Sequence, residues 1–389
     1  MQPYLSGGRI LYIVVLGGGR VGSAIVRDLT AEDEFEVLVV DIDPVAVERM
    51  TRFGADGVVA DLSQIENVSR AVKDADLVVG AVPGFMGYRT VKRVLQEGRP
   101  IVDISFFEED SAGLQDLAES AGVPCLVDCG VAPGLSNLVL GNREEHFDET
   151  ESYVCFAGGL PKERVLPWEY KAPFSPADVI EEYVRPARQR QAGQVVTKPA
   201  LTDTELIDVP GIGSLEAFNT DGLRSLLRNC ATPNMVEKTL RYPGHAARMQ
   251  TLREAGFFSS EPVQAASGSV VPRDVTESLL FDAWRFEEGD LDLTILRIVI
   301  EGTKDGQRQR HTFSMVDHYN PATETMSVAR TTGYTCTSMV KLIAKGIWAQ
   351  PGLATPEIVG RNQEAYDAVI EHLRDRDVYL DLNVEVLPL

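Results

Sequence analysis

The sequence predicts an α/β protein: a Rossmann-type doubly wound parallel sheet, completed by a C-terminal return of the chain and carrying an inserted α+β domain. Three observations lead there. Apolar runs alternate with helical patterns through the first 130 residues, a GxGxxG turn follows the first run, and the character of the chain changes after Asp128 and changes back at Thr331. At 389 residues the chain exceeds the usual single-domain length, so two cores are expected.

The apolar runs are ILYIVVL (10–16), FEVLVVD (35–41), GVVAD (57–61), DLVVGAV (76–82), PIVDIS (100–105) and PCLVD (124–128). Near-continuous Val, Ile and Leu, without polar alternation, is how strands covered on both faces read. Between them SAIVRDL, PVAVERM, QIENVSRAVKD, RTVKRVLQ and LQDLAESA place apolar residues at three- and four-residue spacing. Such alternation builds a doubly wound sheet.

Beyond Asp128 come ESYVCFAGG, TELIDV, LEAFNT, LTILRIVIEG and RHTFSMVDHY, separated by helical PADVIEEYVRPARQ and HAARMQTLREAG. This grouping points to a mostly antiparallel sheet with helices on one face. TTGYTCTSMVKLIAKGIW (331–348), then PGLATPE and a closing helix over 361–373, is read as the chain rejoining the first domain. The expected domains are 1–132 for dinucleotide binding, 133–330 for substrate and dimerisation, and 331–389 for the return.

Gly17, Gly19 and Gly22 stand between the first strand and the first helix. The first glycine permits the tight turn, the second lets backbone approach a pyrophosphate, and the third lets helix and strand pack closely. The helix N-terminus then offers its N–H groups to the phosphates, and Arg20 and Val21 belong to the same expected cradle. Asp41 ends the second strand, where a carboxylate accepts from the adenosine ribose hydroxyls and repels a 2′-phosphate; NAD is therefore expected over NADP. Asp43 either shares that position or caps the helix at Pro44, and Asp61 either reaches the adenine or closes a strand-end turn. Ala81, Val82, Pro83 and Gly84 either lie against the nicotinamide half or form only a turn.

Composition narrows the partners. Acidic residues number 58 against 37 basic, a net charge of −21, which argues against nucleic acid and anionic membranes. The excess is spread along the chain, as in a high-salt or simply acidic cytoplasm. No window approaches the roughly 18 apolar residues of a membrane span, and MQPYLSGGRI lacks the features of a signal peptide. A soluble cytoplasmic protein is expected. Cysteines at 125, 129, 155, 230 and 336 follow neither zinc nor secreted-disulfide spacing, so reduced thiols and no metal site are expected.

GGGRVG, GAVPGFMG, VDISFFEED, LVDCGVAPGLSNL, GGLP, DGLRSLL and RYPGH, in that order, resemble the saccharopine dehydrogenase and reductase family, most closely its short lysine 6-dehydrogenase branch. The resemblance covers nearly the whole chain. It implies NAD-dependent oxidation of the lysine side-chain amine to the semialdehyde, with release of ammonia, by a homodimer or larger oligomer. Saccharopine dehydrogenase, a carboxynorspermidine-type dehydrogenase and a non-catalytic NAD-binding protein are the alternatives.

Amine oxidation needs a base for the ammonium proton, and an amino-acid substrate needs an arginine for its carboxylate and a carboxylate for its α-ammonium. Asp128, at the end of the sixth strand, either contacts the substrate amine and moves its proton or is satisfied by turn N–H groups; Cys129 either lines that pocket or fills space. His245, at a helix start in RYPGH, is either a neutral proton acceptor or a solvent-facing cap. His146, His311, His318 and His372 are expected at the surface. Arg224 is the expected carboxylate clamp, one turn into a helix capped by Asp221, or else an ordinary arginine paired with Glu216. Arg241 and Tyr242 are placed near the same cleft. Tyr170, Lys171 and Arg185 are substrate contacts by resemblance, Lys171 a base only if burial lowered its pKa.

Overall fold

The computed structural model describes residues 9–266 and 268–388; MQPYLSGG, at the start of the chain, lies outside them. The described chain forms two compact units, one reaching His146 and resuming over Ala329–Leu380, the other covering Phe147–Val328 and resuming at Asp381.

In the first unit a seven-stranded sheet runs in the order Gly352–Ala354, Pro124–Leu126, Ile101–Asp103, Leu77–Gly80, Leu11–Leu16, Phe35–Asp41, Asp56–Val59. Every pairing is parallel. The apolar runs are buried as their composition requires, with Ile13, Val14, Val15 and Leu16 inaccessible in the central strand. Strand order reverses beside Leu11–Leu16, which makes the carboxyl ends there the place where a ligand sits. The seventh strand, Gly352–Ala354, comes from the C-terminal return and pairs with Pro124–Leu126. GVVAD differs from its neighbours: Asp56–Val59 is the sheet's outer edge and is exposed throughout.

The return is fastened to the first helix, Arg20–Thr30, through Asp28, which accepts from Arg376 at 2.6 Å and lies 3.6 Å from His372. Burial works against the charge on Asp28, yet the His372 and Arg376 contacts hold it below its ordinary value. His372 is therefore buried, not at the surface, because its Nε2 also meets the Thr337 hydroxyl at 3.0 Å.

The second unit holds a nine-stranded sheet, its main path Glu205–Val209, Gly213–Asn219, Asn234–Arg241, Glu149–Pro161, Asp292–Lys304, Gln307–His318, Asp381–Val386. All of its pairings are antiparallel except Asn234–Arg241 with Glu149–Pro161. Helices Pro176–Val184, His245–Glu254 and Pro272–Ala283 contribute to an aromatic core around Tyr170, Tyr183, Phe218 and Trp284. His311 is buried with its ring 4.6 Å from Phe147, again not at the surface. The expected boundaries shift in two places. Leu135–His146 lies in the first unit, and the final residues leave it, because Asp381–Val386 pairs with Gln307–His318.

Candidate active site

The glycine turn is built as its spacing requires. Gly17 has φ +110°, and a Cβ there would press into the backbone of Ala81. A Cβ on Gly22 would lie 3.0 Å from the carbonyl carbon of Gly17 and nearer still to its oxygen. Gly19, the N-cap of Arg20–Thr30, faces open space and has no side-chain cap, so the helix's first N–H groups are presented outward. A helix start without a side-chain cap, beside a glycine that leaves room, fits a dinucleotide pyrophosphate. Arg20 and Val21, both half-buried, open this helix.

Asp41 ties the turn to the second strand: its Oδ2 accepts from Gly18 N–H at 2.6 Å and its Oδ1 from Asp43 N–H at 2.8 Å. Asp43 caps the helix Pro44–Thr51, accepting from Val45 N–H at 2.9 Å. Asp61 accepts from Ser63 N–H at 2.8 Å, and the Ser63 hydroxyl, with that N–H, holds its carboxyl below the ordinary range. Ala81 donates to Leu16 C=O at 2.9 Å, and Val82, Pro83 and Gly84 lead into the helix Gly84–Gln96, with Pro83 as its N-cap.

Further along this carboxyl edge stands an acid the sequence reading did not single out. Asp103, fully buried at the end of Ile101–Asp103, accepts from Ser105 N–H at 2.8 Å and lies where a Cβ on Gly80 would be. Its signal was present in PIVDIS, a strand ending in an acid. Asp103 C=O accepts from Cys129 N–H at 3.0 Å, which brings the strand-five and strand-six ends together. Asp128 is 2% exposed and sits in the left-handed region, φ 60°, a conformation Asp tolerates better than most residues. Cys129 is inaccessible, and burial pushes its thiol well above the ordinary value, so it is a neutral space-filling thiol. All five cysteines are buried, and none forms a disulfide.

In the second unit the predicted residues divide. Arg241 is buried, donates to Glu182 at 2.6 Å and lies 4.6 Å from the Tyr170 ring centre. His245 is 1% exposed; its Nε2 meets the Tyr183 hydroxyl at 2.9 Å, and it packs against Tyr170. Burial first, and the Arg241 charge second, push it down to about 3. It is neutral, but too weak a base to take an ammonium proton near neutral pH, and it does not face solvent. Tyr242 donates to Pro161 C=O at 2.9 Å.

The local geometry around Arg224 departs from expectation. Arg224 occupies a turn at φ 44°, before the short helix Leu226–Asn229, and is half-buried. Asp221 does not cap that helix, because Arg188 engages its carboxylate with the backbone N–H at 3.0 Å and the guanidinium at 2.7 Å. Glu216 instead accepts from Ala246 N–H at 2.9 Å. Arg185 lies 3.6 Å from Glu181, and Lys171 pairs with Asp290.

A parallel sheet with a glycine cradle at its reversal point and an acid at the next strand end defines a Rossmann-type nucleotide-binding protein with an attached α+β unit. Residues 13–126 match the saccharopine dehydrogenase NADP binding domain, and residues 130–378 match the saccharopine dehydrogenase C-terminal domain. The chain belongs to the saccharopine dehydrogenase family of oxidoreductases. It is 26% identical over 223 residues to an alpha-aminoadipic semialdehyde synthase of Arabidopsis thaliana, covering 53% of this chain and 21% of that one. The chain spans between about a fifth and a third of the length of the semialdehyde synthases it matches. It is 21% identical to a carboxyaminopropylagmatine dehydrogenase of Synechocystis, over 89% of this chain and 92% of that one. The apo saccharopine dehydrogenase (L-Glu forming) of Saccharomyces cerevisiae shares the fold, with a TM-score of 0.79 at 17% identity, covering 96% of this chain and 100% of that one. Among the described residues no helix is long and apolar enough to cross a membrane.

Proposed function

We propose that this chain is an NAD-dependent dehydrogenase of an amino-acid amine, an L-lysine 6-dehydrogenase that oxidises the side-chain amine to the semialdehyde and releases ammonia. What supports the substrate reading is that three arginines of the second unit already face acids of the chain. Arg185, Arg188 and Arg241 are each engaged by an acid of the chain, Glu181, Asp221 and Glu182. A substrate with two carboxyl-bearing arms, such as saccharopine, asks for more than one arginine fork, whereas lysine asks for one. Arg224, in its turn, is the proposed clamp. NAD is favoured over the NADP of the family description by Asp41, whose charge meets a 2′-phosphate unfavourably.

The bound dinucleotide supplies a hydride acceptor. Asp128 accepts the substrate ammonium proton, which frees the nitrogen lone pair to expel hydride from the adjoining carbon. Water then adds to the imine carbon, and ammonia leaves. His245 acts by holding Tyr183, with Tyr170 and Arg241 packed beside it. The protein works as a homo-oligomer in the cytoplasm. A second reading, a dehydrogenase of carboxylated polyamines, is favoured by the buried acid Glu237.

The test is incubation of purified protein with NAD and, separately, L-lysine, saccharopine and carboxynorspermidine, following reduced nicotinamide and ammonia. Lysine alone should give both products. Reduction with saccharopine only, or with the polyamine only, would replace the lysine reading, and light scattering at a single-chain mass would remove the oligomer.

A further inference from the structure

We propose that Glu237 is the carboxylate that receives the ammonium group of the substrate that is not oxidised, and so selects amino-acid amines over simple amines. The assignment rests on the amine-dehydrogenase reading and adds a residue outside the predicted set.

Glu237 lies in the strand Asn234–Arg241, on the same face as Thr239 and Arg241. It is 6% exposed. Its Oε2 accepts from the Thr220 hydroxyl at 2.6 Å, and Thr220 lies 2.9 Å from the Thr239 hydroxyl. Gly222, in the DGLRSLL segment, leaves the space this carboxyl group occupies: a Cβ there would fall on it. The backbone N–H of Gly222 also reaches it.

Charge is what sets Glu237 apart. Three acids converge here, Glu182, Asp221 and Glu237, and Arg241 and Arg188 neutralise the first two at 2.6 and 2.7 Å. Glu237 makes no ion pair among the described residues. Tyr183 and the neutral His245, on the helices packed nearby, bring no positive charge. Burial, with Glu182 and Asp221 adding to it, pushes the Glu237 carboxyl up to about 8, so it is held as the neutral acid near pH 7. An ammonium ion brought beside it would ionise it and expel its proton. Of lysine's two amines, the reacting one must lose its proton, and pairing with a carboxylate would oppose that. The α-ammonium, which stays charged throughout, is the group that fits.

The experiment measures L-lysine binding to the full chain with NADH, a complex that cannot turn over, by calorimetry in buffers of differing ionisation enthalpy at pH 7. Wild type should release about one proton per lysine bound, and Glu237→Gln should release far less. In parallel, the ratio of kcat/KM for lysine to that for 6-aminohexanoate, which lacks the α-amine, should fall by about 10- to 100-fold in Glu237→Gln. Thr220→Val keeps the carboxyl but removes its hydroxyl donor, and should lower the same ratio several-fold, which covers the case in which Glu237→Gln fails to fold. Proton release and substrate ratio unchanged in the variants, with wild type oxidising lysine, would overturn this assignment alone. A wild type that neither binds nor oxidises lysine-type amines would overturn the function reading, and this assignment with it.

Discussion

Asp41→Asn isolates the charge on which cofactor choice is argued to depend, with almost no change of shape. In the native turn both carboxylate oxygens accept backbone N–H bonds, from Gly18 at 2.6 Å and Asp43 at 2.8 Å. Asn keeps one oxygen and turns an NH2 toward one of those donors, so the turn loses about 1–3 kcal/mol of local stabilisation. The larger effect is on the ligand. A 2′-phosphate some 4 Å from Asp41 meets a repulsion of about 1–4 kcal/mol per pair of unit charges, depending on the effective dielectric constant near the surface. Removing that charge should move the NADP-to-NAD affinity ratio by about 10- to 100-fold toward NADP, while NAD itself binds more weakly for want of a charged ribose acceptor. Calorimetric titration of both nucleotides against wild type and variant measures the ratio. An unchanged ratio, or a wild type that prefers NADP, would refute the reasoning.

Other substitutions test other links. Gly22→Ala drives a Cβ into the Gly17 carbonyl group, 3.0 Å from its carbon; the expected cost of about 1–3 kcal/mol exceeds the helix-propensity gain of about 1 kcal/mol, and NAD affinity should fall at least tenfold. Unaltered melting and titration would contradict close packing there. His245, held near 3 in the folded state against about 6.5 unfolded, gives the unfolded chain the greater proton uptake, so its contribution is present above pH 6.5 and is lost as pH falls toward 3. Urea unfolding between pH 7 and pH 4 should therefore be steeper in pH for wild type than for His245→Gln, by an amount on the order of 1–3 kcal/mol; parallel curves would contradict it. Asp292 caps the helix Ser327–Ala344 through Ser327 N–H at 2.6 Å and Val328 N–H at 2.9 Å, so Asp292→Ala should cost about 1–2 kcal/mol in urea unfolding, and Asp292→Asn less.

What was legible in the sequence followed the strength of local constraint. The glycine turn and the buried parallel strands could be read because backbone geometry and two-sided burial each demand particular residues over a short span. The return of the chain to the first domain was readable from the apolar helix over 331–348, but the strand Gly352–Ala354 that follows was not, because three residues carry no periodicity. Asp381–Val386 was not, since DLNVEV is an exposed edge whose partner lies some seventy residues back, and nothing local names that partner. The turn around Arg224 was misread as a capped helix for a related reason. A helix cap was inferred from Asp221, but Arg188, brought over by the strand Ala187–Gln191, takes that carboxylate. His311 and His372 look like surface residues beside charged neighbours, yet Phe147 and Thr337, both remote in sequence, bury them. Glu237 was invisible because EKTLR reads as an ordinary polar stretch, and only the fold shows that the arginines around it are already taken.

The most direct test is the stoichiometry of a single reaction: purified protein, NAD and L-lysine with no carbonyl compound added. One ammonia should be released for each nicotinamide reduced. Reduction without ammonia, or no reduction with lysine while a secondary amine is oxidised, would contradict it.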